Sequence, residues 1–252
     1  MKVYFVGAGP GDPELLTVKA DRLLRTCRFV IYAGSLISDE VLNLVPDDAE
    51  KYDSANLNLN EIKALFVNAK QRDIDVVRLH SGDPSIYGAI REQMNILDDL
   101  RISYSVVPGI SSFQAAAAIL HTELTAPESA QTIILTRTPG RTPMPQNQDL
   151  GLLAKSHATL CIFLSAHKLD YVANTLRDHY GAHCPAALVY KASCPDQIVV
   201  RGTLANIPSK AAAAGIAKTA IVIVGKALRK RIVSSKLYDP SFSHQYRKVT
   251  ES

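Results

Sequence analysis

The sequence predicts an α/β fold of two domains, and three observations lead to this fold class. Short apolar stretches of β-prone residues alternate with stretches whose apolar residues recur at helical spacing. Repeated alternation of this kind implies strand-to-helix crossovers and therefore a mainly parallel sheet. The chain has 252 residues, of which 47% are hydrophobic and 21% charged, and this suits one large or two medium α/β domains with a full core.

The first predicted domain, residues 1–124, is a series of strands that each precede a helix. The pattern predicts strands at 3–6, 29–33, 75–80 and 102–107. It predicts helices through 15–27, 62–69, 90–97 and 115–120. The apolar stripe of the first helix is expected to include Leu15, Val18 and Leu24.

A second domain, residues 125–230, is predicted after a polar stretch that contains Pro127. Its predicted strands are 132–136, 159–164, 186–190, 197–201 and 219–224, and its predicted helices are 168–179 and 204–214. The two strands at 186–190 and 197–201 follow each other directly and give this domain hairpin character. Residues 139–145 are too rich in proline and glycine to be regular, and residues 231–252 form a C-terminal tail.

Three dense turns follow strands of the first domain and are the candidate ligand site. Residues 7–13 read GAGPGDP, residues 81–88 read SGDPSIYG and residues 108–112 read PGISS. Glycine permits positive φ and lets bare backbone approach a ligand. Because open α/β sheets bind ligands at the carboxyl ends of their strands, we expect the site in a cleft between the two domains.

These turns do not fit two common nucleotide sites. A dinucleotide fingerprint needs a third glycine one residue later than Gly11 and an acid that residues 29–33 do not supply. No turn has the lysine and serine of a nucleotide-hydrolysing loop. His80 and Asp83 are candidates for general acid or base, although an aspartate before proline in a turn is more often an Asx cap.

Charge and composition restrict the partners. The net charge of +4 and the pI near 8.8 suit an acidic small molecule, and no run of like charges indicates a nucleic-acid-binding arm. No signal peptide or membrane span is indicated, so we expect a cytoplasmic protein that binds neither nucleic acid nor membrane. The four cysteines lack C-x-x-C spacing, which favours reduced thiols and no metal site.

Four motifs in their order resemble those of the tetrapyrrole methylases, the S-adenosylmethionine-dependent enzymes of corrin and sirohaem synthesis. They are the three turns and TAIVIVG at 219–225, and the resemblance covers nearly the whole chain. YAGSL at 32–36, LTRTPGRTP at 135–143, VYKA at 189–192 and KLYDPSFSH at 236–244 resemble the precorrin-4 C11-methyltransferases of the cobalamin pathway.

The resemblance implies a class III methyltransferase fold, a homodimer, and methyl transfer from S-adenosylmethionine to C11 of precorrin-4 or cobalt-precorrin-4. S-adenosylhomocysteine is the implied product. The residues that it implies for donor binding are Pro10, Ser81, Gly82, Asp83, Ile86, Tyr87, Ser111, Ser112, Leu164, Tyr190, Ala192, Thr219 and Ala220. Many of these positions are small or turn-forming, which suits contacts through main-chain amides and carbonyls.

The implied acceptor bears many carboxylates, which arginine binds in bidentate fashion. Arg137, Arg141 and Lys191 are the candidates for this role. In one respect the chain departs from the family pattern. Relatives that methylate uroporphyrinogen carry an aspartate after the second strand as proposed base, but here the stretch reads Ala33-Gly34. Proton removal is therefore expected from elsewhere, from water or from the substrate, with no single indispensable base.

Alternatives stay open at this point. A methylase of the same fold acting on another precorrin position, on rRNA or on protein would share the donor motifs, although an rRNA enzyme should show a broader basic face and residues 136–141 argue against it. A noncatalytic binder of tetrapyrroles or nucleotides would bind without turnover. The sequence also leaves open whether the acceptor carries cobalt.

Overall fold

The fold is taken from a computed structural model of the chain, and its description covers residues 1–127, 129–140, 142–229, 243 and 245. The chain forms two compact units. The first comprises Met1–Ile119 together with Lys191–Ile198, and the second comprises Leu120–Tyr190 and the chain from Val199 onward. The predicted domain boundary at 124/125 lies a few residues after this division, and the sequence did not indicate that Lys191–Ile198 rejoins the first unit.

The first unit contains a five-stranded parallel sheet with the order β3-β2-β4-β1-β5. Its strands are β1 (Lys2–Gly7), β2 (Phe29–Tyr32), β3 (Glu50–Asp53), β4 (Val76–His80) and β5 (Ser103–Val107). Its helices are α1 (Val18–Thr26), α2 (Asp39–Leu42), α3 (Leu59–Gln71), α4 (Ile90–Asp99) and α5 (Ser112–Ile119). Because β4, β1 and β5 are neighbours and parallel, the three predicted turns all leave the same edge of the sheet.

Both faces of this sheet are buried, as expected for parallel strands with near-continuous apolar runs. One face packs Phe5 and Phe29 against Phe66 of α3, and all three side chains are fully buried. The other face packs Val6 against Leu24 of α1. Burying each of these large side chains contributes about 1.5–3 kcal/mol, which fixes the strand ends that carry the turns.

The second unit contains a mixed sheet with the order β6-β7-β10-β8-β9. Its strands are β6 (Ile133–Arg137), β7 (Thr159–Phe163), β8 (Pro185–Tyr190), β9 (Ile198–Thr203) and β10 (Ala220–Val224). Strands β6 and β7 are parallel, whereas β10 is antiparallel to both β7 and β8. Helices α6 (Leu150–Ala154), α7 (Leu169–Tyr180) and α8 (Ile207–Ala213) complete the unit, and Leu160, Leu176 and Leu188 are buried in its core.

The structure corrects three details of the predicted elements. The first helix does not begin at Leu15, which ends a short 3-10 turn, but at Val18, after the N-cap hydroxyl of Thr17 accepts a hydrogen bond from the Ala20 N–H. Val18 is 88% exposed and does not belong to the buried stripe. Strand β3 and the short helices α2 and α6 were missed, because they are short and β3 alternates half-buried and exposed residues.

Within the described residues, no helix is long and apolar enough to cross a membrane. The same part of the chain contains no group of three or more histidine, cysteine, aspartate or glutamate side chains that could hold a metal ion. The predicted tail at 231–252 lies outside the described residues, apart from Ser243 and Gln245.

Candidate functional site

The turns that follow β1 and β4 are joined through their main chains. Gly9 and Gly82 exchange two hydrogen bonds, with the Gly9 N–H donating over 3.2 Å and the Gly82 N–H over 2.8 Å. Ala8 donates a further bond of 2.8 Å to the carbonyl of His80. Both glycines have positive φ, +68° and +65°, which other residues rarely adopt. The two turns therefore form one rigid backbone surface.

The turn after β5 packs against this surface with no room for side chains. A Cβ at Gly7 would lie 2.6 Å from the main-chain nitrogen of Gly109 and 2.6 Å from the carbonyl oxygen of Gly82. These separations are too short for real contacts, so alanine at Gly7 would force the backbones apart. The three turns together present main-chain groups at the carboxyl edge of the parallel sheet, as the sequence predicted.

Asp83 connects the turn after β4 to the turn after β5. Its Oδ2 accepts a hydrogen bond of 2.9 Å from the Gly109 N–H, and its Oδ1 accepts one of 2.8 Å from the Ser85 N–H and another from the Ser85 hydroxyl. Partial burial alone would raise the pKa of this carboxyl, but the hydrogen bonds from Ser85 and Gly109 outweigh burial and lower it. The geometry is that of an Asx cap, the alternative to an acid–base role.

His80 lies at the end of β4 with its side chain in the core. The residue is 5% exposed, its ring centroid lies 6.0 Å from that of Phe5, and its Nε2 has no hydrogen-bond partner in the described part of the chain. Burial, and then the positive charge of Arg78, lower the pKa of His80 to about 3. The imidazole is therefore neutral at physiological pH and a weak base, which does not suit it to general acid–base catalysis.

Three predicted donor-binding residues and one acceptor candidate, Lys191, have strained backbones. Tyr87, Leu164, Lys191 and Thr219 have φ values of 56°, 53°, 43° and 54°. Left-handed conformations of residues other than glycine cost free energy and concentrate at functional sites. The apolar side chain of Leu164, directly after β7, is also 65% exposed. Leu164 and Thr219 are both exposed residues of the second unit with left-handed backbones, so both fit the predicted ligand contact.

The structure brings together part of the predicted donor set in the first unit. A Cβ at Gly82 would lie 3.6 Å from the Cα of Ser111, which caps α5. Residues Pro10, Ser81, Asp83, Ile86, Ser112 and Ala192 belong to the same unit. The second unit supplies Leu164, Tyr190, Thr219 and Ala220, of which Tyr190 and Ala220 are paired on β8 and β10. The roles of all these residues stay predictions.

Three side chains that the sequence did not single out for the site hold the turn formed by Pro10, Gly11 and Asp12, here called the Pro10 turn. The Ser38 hydroxyl donates to the Gly11 carbonyl over 2.6 Å. Ser193 and Cys194 also contact this turn, from a segment more than 180 residues away along the chain. No local motif marks these residues, so only the fold identifies them.

The two described acceptor candidates are engaged within their own loops. Arg137 donates two hydrogen bonds from Nη1, to the carbonyls of Thr138 (3.2 Å) and Thr142 (3.1 Å), and one from Nη2 to Pro143 (3.0 Å). Lys191 forms an ion pair of 2.5 Å with Asp196. Arg141 lies outside the described residues. Binding of acceptor carboxylates by these residues stays a prediction, and the observed bonds of Arg137 shape the loop after β6.

Comparison with known proteins places the chain in a family. Residues 2–208 match the family described as Tetrapyrrole (Corrin/Porphyrin) Methylases. A cobalt-precorrin-4 C(11)-methyltransferase from Methanocaldococcus jannaschii is 48% identical over 98% of this chain and 96% of its own length. A precorrin-4 C(11)-methyltransferase from Pseudomonas aeruginosa is 47% identical over 98% of this chain and 99% of its own length.

Solved structures agree with the sequence comparison. A cobalt precorrin-4 methyltransferase, described as a cobalamin biosynthetic enzyme, has a TM-score of 0.88 at 39% identity and covers 90% of this chain and 96% of its own. A uroporphyrin-III C-methyltransferase from Thermus thermophilus, complexed with S-adenosylhomocysteine, has a TM-score of 0.76 at 30% identity and covers 91% and 94%. With its parallel sheet, its glycine turns and this similarity over nearly the whole length, the chain belongs to the tetrapyrrole methylases.

Proposed function

We propose that the chain transfers a methyl group from S-adenosylmethionine to C11 of precorrin-4, or of its cobalt form, during corrin-ring synthesis. The observation that carries the proposal is similarity from end to end. Two relatives with this activity in their names are 47–48% identical over 98% of the chain and match 96–99% of their own lengths. Both the donor turns and the loop after β6 lie inside the matched length.

The first unit fits a methyl donor that has an amino-acid end and an adenosine end. Its three turns bring main-chain N–H and C=O groups together at the carboxyl edge of the parallel sheet, and side chains at Gly7 or Gly109 would fill the space between the turns. We propose that Pro10, Gly82 and Ser111 contact the donor through these groups, together with the other residues predicted for it. S-adenosylmethionine, when bound, supplies a sulfonium methyl that is already electrophilic.

The contribution that we assign to the chain is positioning. Holding two reacting groups in line can lower a barrier by roughly 7 to 11 kcal/mol without any proton transfer to a side chain. His80 binds a proton weakly because it is buried, and the carboxylate of Asp83 is occupied by the Ser85 and Gly109 hydrogen bonds. Both observations support the proposal that neither residue is an indispensable base.

A carboxylate does lie beside the position where the expected aspartate is missing. A Cβ at Gly34 would lie 3.0 Å from Oδ1 of Asp53, which itself accepts a hydrogen bond of 2.8 Å from the Ala55 N–H. Single-turnover rates of Asp53→Asn and His80→Gln at saturating donor and acceptor test the base-free mechanism. Removing a general base costs roughly a hundred- to ten-thousand-fold in rate. If neither residue is the base, both variants should therefore keep turnover within about a hundredfold of the original. A larger loss with intact binding would identify that residue as the base.

The proposed function is tested by mass spectrometry and carbon-13 NMR of the product. Metal-free and cobalt-loaded precorrin-4 are each incubated with donor labelled in the methyl group. The expected result is one added methyl group at C11 of at least one acceptor. Methylation at another ring position would support a methylase of the same family with a different acceptor, and donor binding without turnover would support a noncatalytic binder.

We further propose that the protein is a homodimer in the cytoplasm. Both proposals follow from the family resemblance. Sedimentation equilibrium tests the first, and fractionation of cells that produce the protein tests the second. A monomer at micromolar concentration, or recovery in the membrane fraction, would contradict them.

A further inference from the structure

Three consecutive residues of the Pro10 turn are held by side chains from two distant segments. The Pro10 carbonyl accepts from the Cys194 thiol with Sγ at 3.8 Å, and the Gly11 carbonyl accepts from Ser38 at 2.6 Å. The Asp12 N–H donates to the Ser193 hydroxyl over 3.1 Å. Thus one polar group of each residue in the turn is fixed from outside the turn.

The segment that carries Ser193 and Cys194 is itself well ordered by internal bonds. Gln197 Oε1 accepts a hydrogen bond of 3.0 Å from the Ser193 N–H, and Cys194 donates its N–H to the Lys191 carbonyl over 3.0 Å. The ion pair between Lys191 and Asp196 closes the same loop. Ser193 has a φ of 67°, which an ordinary loop serine rarely adopts. The segment therefore presents its hydroxyl and thiol from a defined conformation.

Cys194 packs so closely on Gly11 that only glycine, which has no side chain, fits at position 11. A Cβ at Gly11 would overlap the Sγ of Cys194, whereas the next nearest atoms, the Ala192 carbonyl oxygen and the Cys194 nitrogen, lie at 3.5 Å. The thiol is thus packed directly on the backbone of the turn. This packing is a second observation, independent of the hydrogen bonds, that couples the segment to the turn.

We propose that Ser193 and Cys194 are positioning residues that hold the Pro10 turn in the shape that binds the methyl donor. The inference rests on the proposed function, because it takes the Pro10 turn to be part of the donor site. Neither residue takes part in chemistry. A ligand binds more weakly when its competent conformation is less populated, so loosening the turn lowers donor affinity and leaves the chemical step intact.

The test is isothermal calorimetry with S-adenosylhomocysteine, joined to steady-state kinetics. Ser193→Ala removes the acceptor of the Asp12 N–H, and losing one hydrogen bond is expected to raise the Kd and the donor KM by about 2- to 12-fold. The value of kcat at saturating donor is expected to stay unchanged. Ser193→Asn should restore much of the affinity, because asparagine tolerates positive φ and keeps a side-chain oxygen. Ser209→Ala, at an exposed position on α8 whose hydroxyl bonds the Asn206 carbonyl, is the matched control.

The outcomes separate the two proposals. Binding of S-adenosylhomocysteine by Ser193→Ala and Cys194→Ala within twofold of the original protein would overturn the positioning role. A lower kcat with an unchanged donor KM would overturn it as well. If the original protein itself, folded by circular dichroism, binds neither S-adenosylmethionine nor S-adenosylhomocysteine, the proposed function fails instead.

Discussion

Asp83 and Gly109 are joined by a hydrogen bond of 2.9 Å between a side-chain carboxylate oxygen and a main-chain N–H. Because the same carboxylate caps its own turn through Ser85, a single side chain fixes the ends of β4 and β5 relative to each other. Both carboxylate oxygens accept hydrogen bonds, one from each turn. A side chain with only one acceptor oxygen cannot make both bonds, so substituting Asp83 tests the link between the turns.

We expect Asp83→Asn to weaken both folding and donor binding. The amide must direct its NH2 group at either the Ser85 N–H or the Gly109 N–H, so one of these donors loses its acceptor. The loss should lower the free energy of unfolding by about 1–3 kcal/mol and raise the Kd for S-adenosylhomocysteine. Urea denaturation and calorimetry measure the two effects, with the exposed loop substitution Asp48→Asn as control. Equal stability and affinity of the two variants would remove the proposed link between the turns.

The buried His80 should make stability depend on pH. Its pKa is lowered from 6.5 to about 3 in the folded protein, so between these values the unfolded state binds a proton that the folded state does not. Stability therefore falls as pH decreases below about 6.5, by up to about 1.4 kcal/mol per pH unit for one proton. Urea unfolding of the original protein and of His80→Gln at pH 5 to 8 should show a smaller slope for the variant. Parallel slopes would mean that His80 is protonated in the folded state.

Gly82→Val should abolish donor binding, and this loss should not be explained by reduced stability alone. Its φ of +65° disfavours any side chain, and valine would project toward Ser111, whose Cα lies 3.6 Å from the Cβ position. Gly181→Val is the matched control, since Gly181 has a φ of +81° and nothing within 4 Å of its Cβ position. Both variants should lose stability, but calorimetry should show lost S-adenosylhomocysteine binding for the Gly82 variant alone. Normal S-adenosylhomocysteine binding by the Gly82 variant would mean that the donor does not bind at these turns.

Gly11→Ala should weaken donor binding, and a second substitution should partly restore it. The new methyl group overlaps the Sγ of Cys194, and Cys194→Ala removes that atom and leaves the nearest neighbours at 3.5 Å. Restoration is expected to be partial, because the φ of Gly11, +155°, still disfavours alanine. A double-mutant cycle on the Kd for S-adenosylhomocysteine measures the coupling. Additive effects of the two substitutions would show that the thiol does not pack on Gly11 in solution.

Arg137→Ala should affect the acceptor and not the donor. The guanidinium bonds three carbonyls of the loop after β6, so its removal releases the loop in which Arg137 was predicted to meet the acceptor. At about 1 kcal/mol per bond, a rise of about tenfold or more in the acceptor KM is expected, with an unchanged Kd for S-adenosylhomocysteine. Arg22→Ala, at an exposed position on α1, is the control. Impaired donor binding with normal acceptor kinetics would reverse the assignment.

The sequence predicted those parts of the fold and site whose physical cause is local. The glycine turns follow from residues that are adjacent in the chain, since positive φ at Gly9 and Gly82 needs glycine whatever surrounds it. Apolar runs likewise predicted β1, β2, β4 and β5. An edge strand such as β3, which begins at Glu50 and alternates half-buried and exposed residues, carries too little of this signal.

What the sequence did not predict depends on contacts between distant residues. Ser193 lies 181 residues from Asp12, and a serine beside a cysteine in a polar loop has no pattern that indicates a partner. The hydrogen bonds of Arg137 within its loop also could not be predicted, because the sequence does not distinguish an arginine that bonds its own loop from one that faces solvent. His80 was considered as an acid or base, but its burial follows from packing against Phe5 and was not apparent beforehand.

The return of Lys191–Ile198 to the first unit has a consequence for synthesis on the ribosome. After Ile119 has been added, 79 further residues must be translated before this segment is complete. At about 5–20 residues per second, roughly 4–16 s pass in which all five strands of the parallel sheet have been translated but Ser193 and Cys194, which hold the Pro10 turn, have not. The amino-terminal part of the protein therefore reaches its final form only after most of the carboxyl-terminal part has been translated.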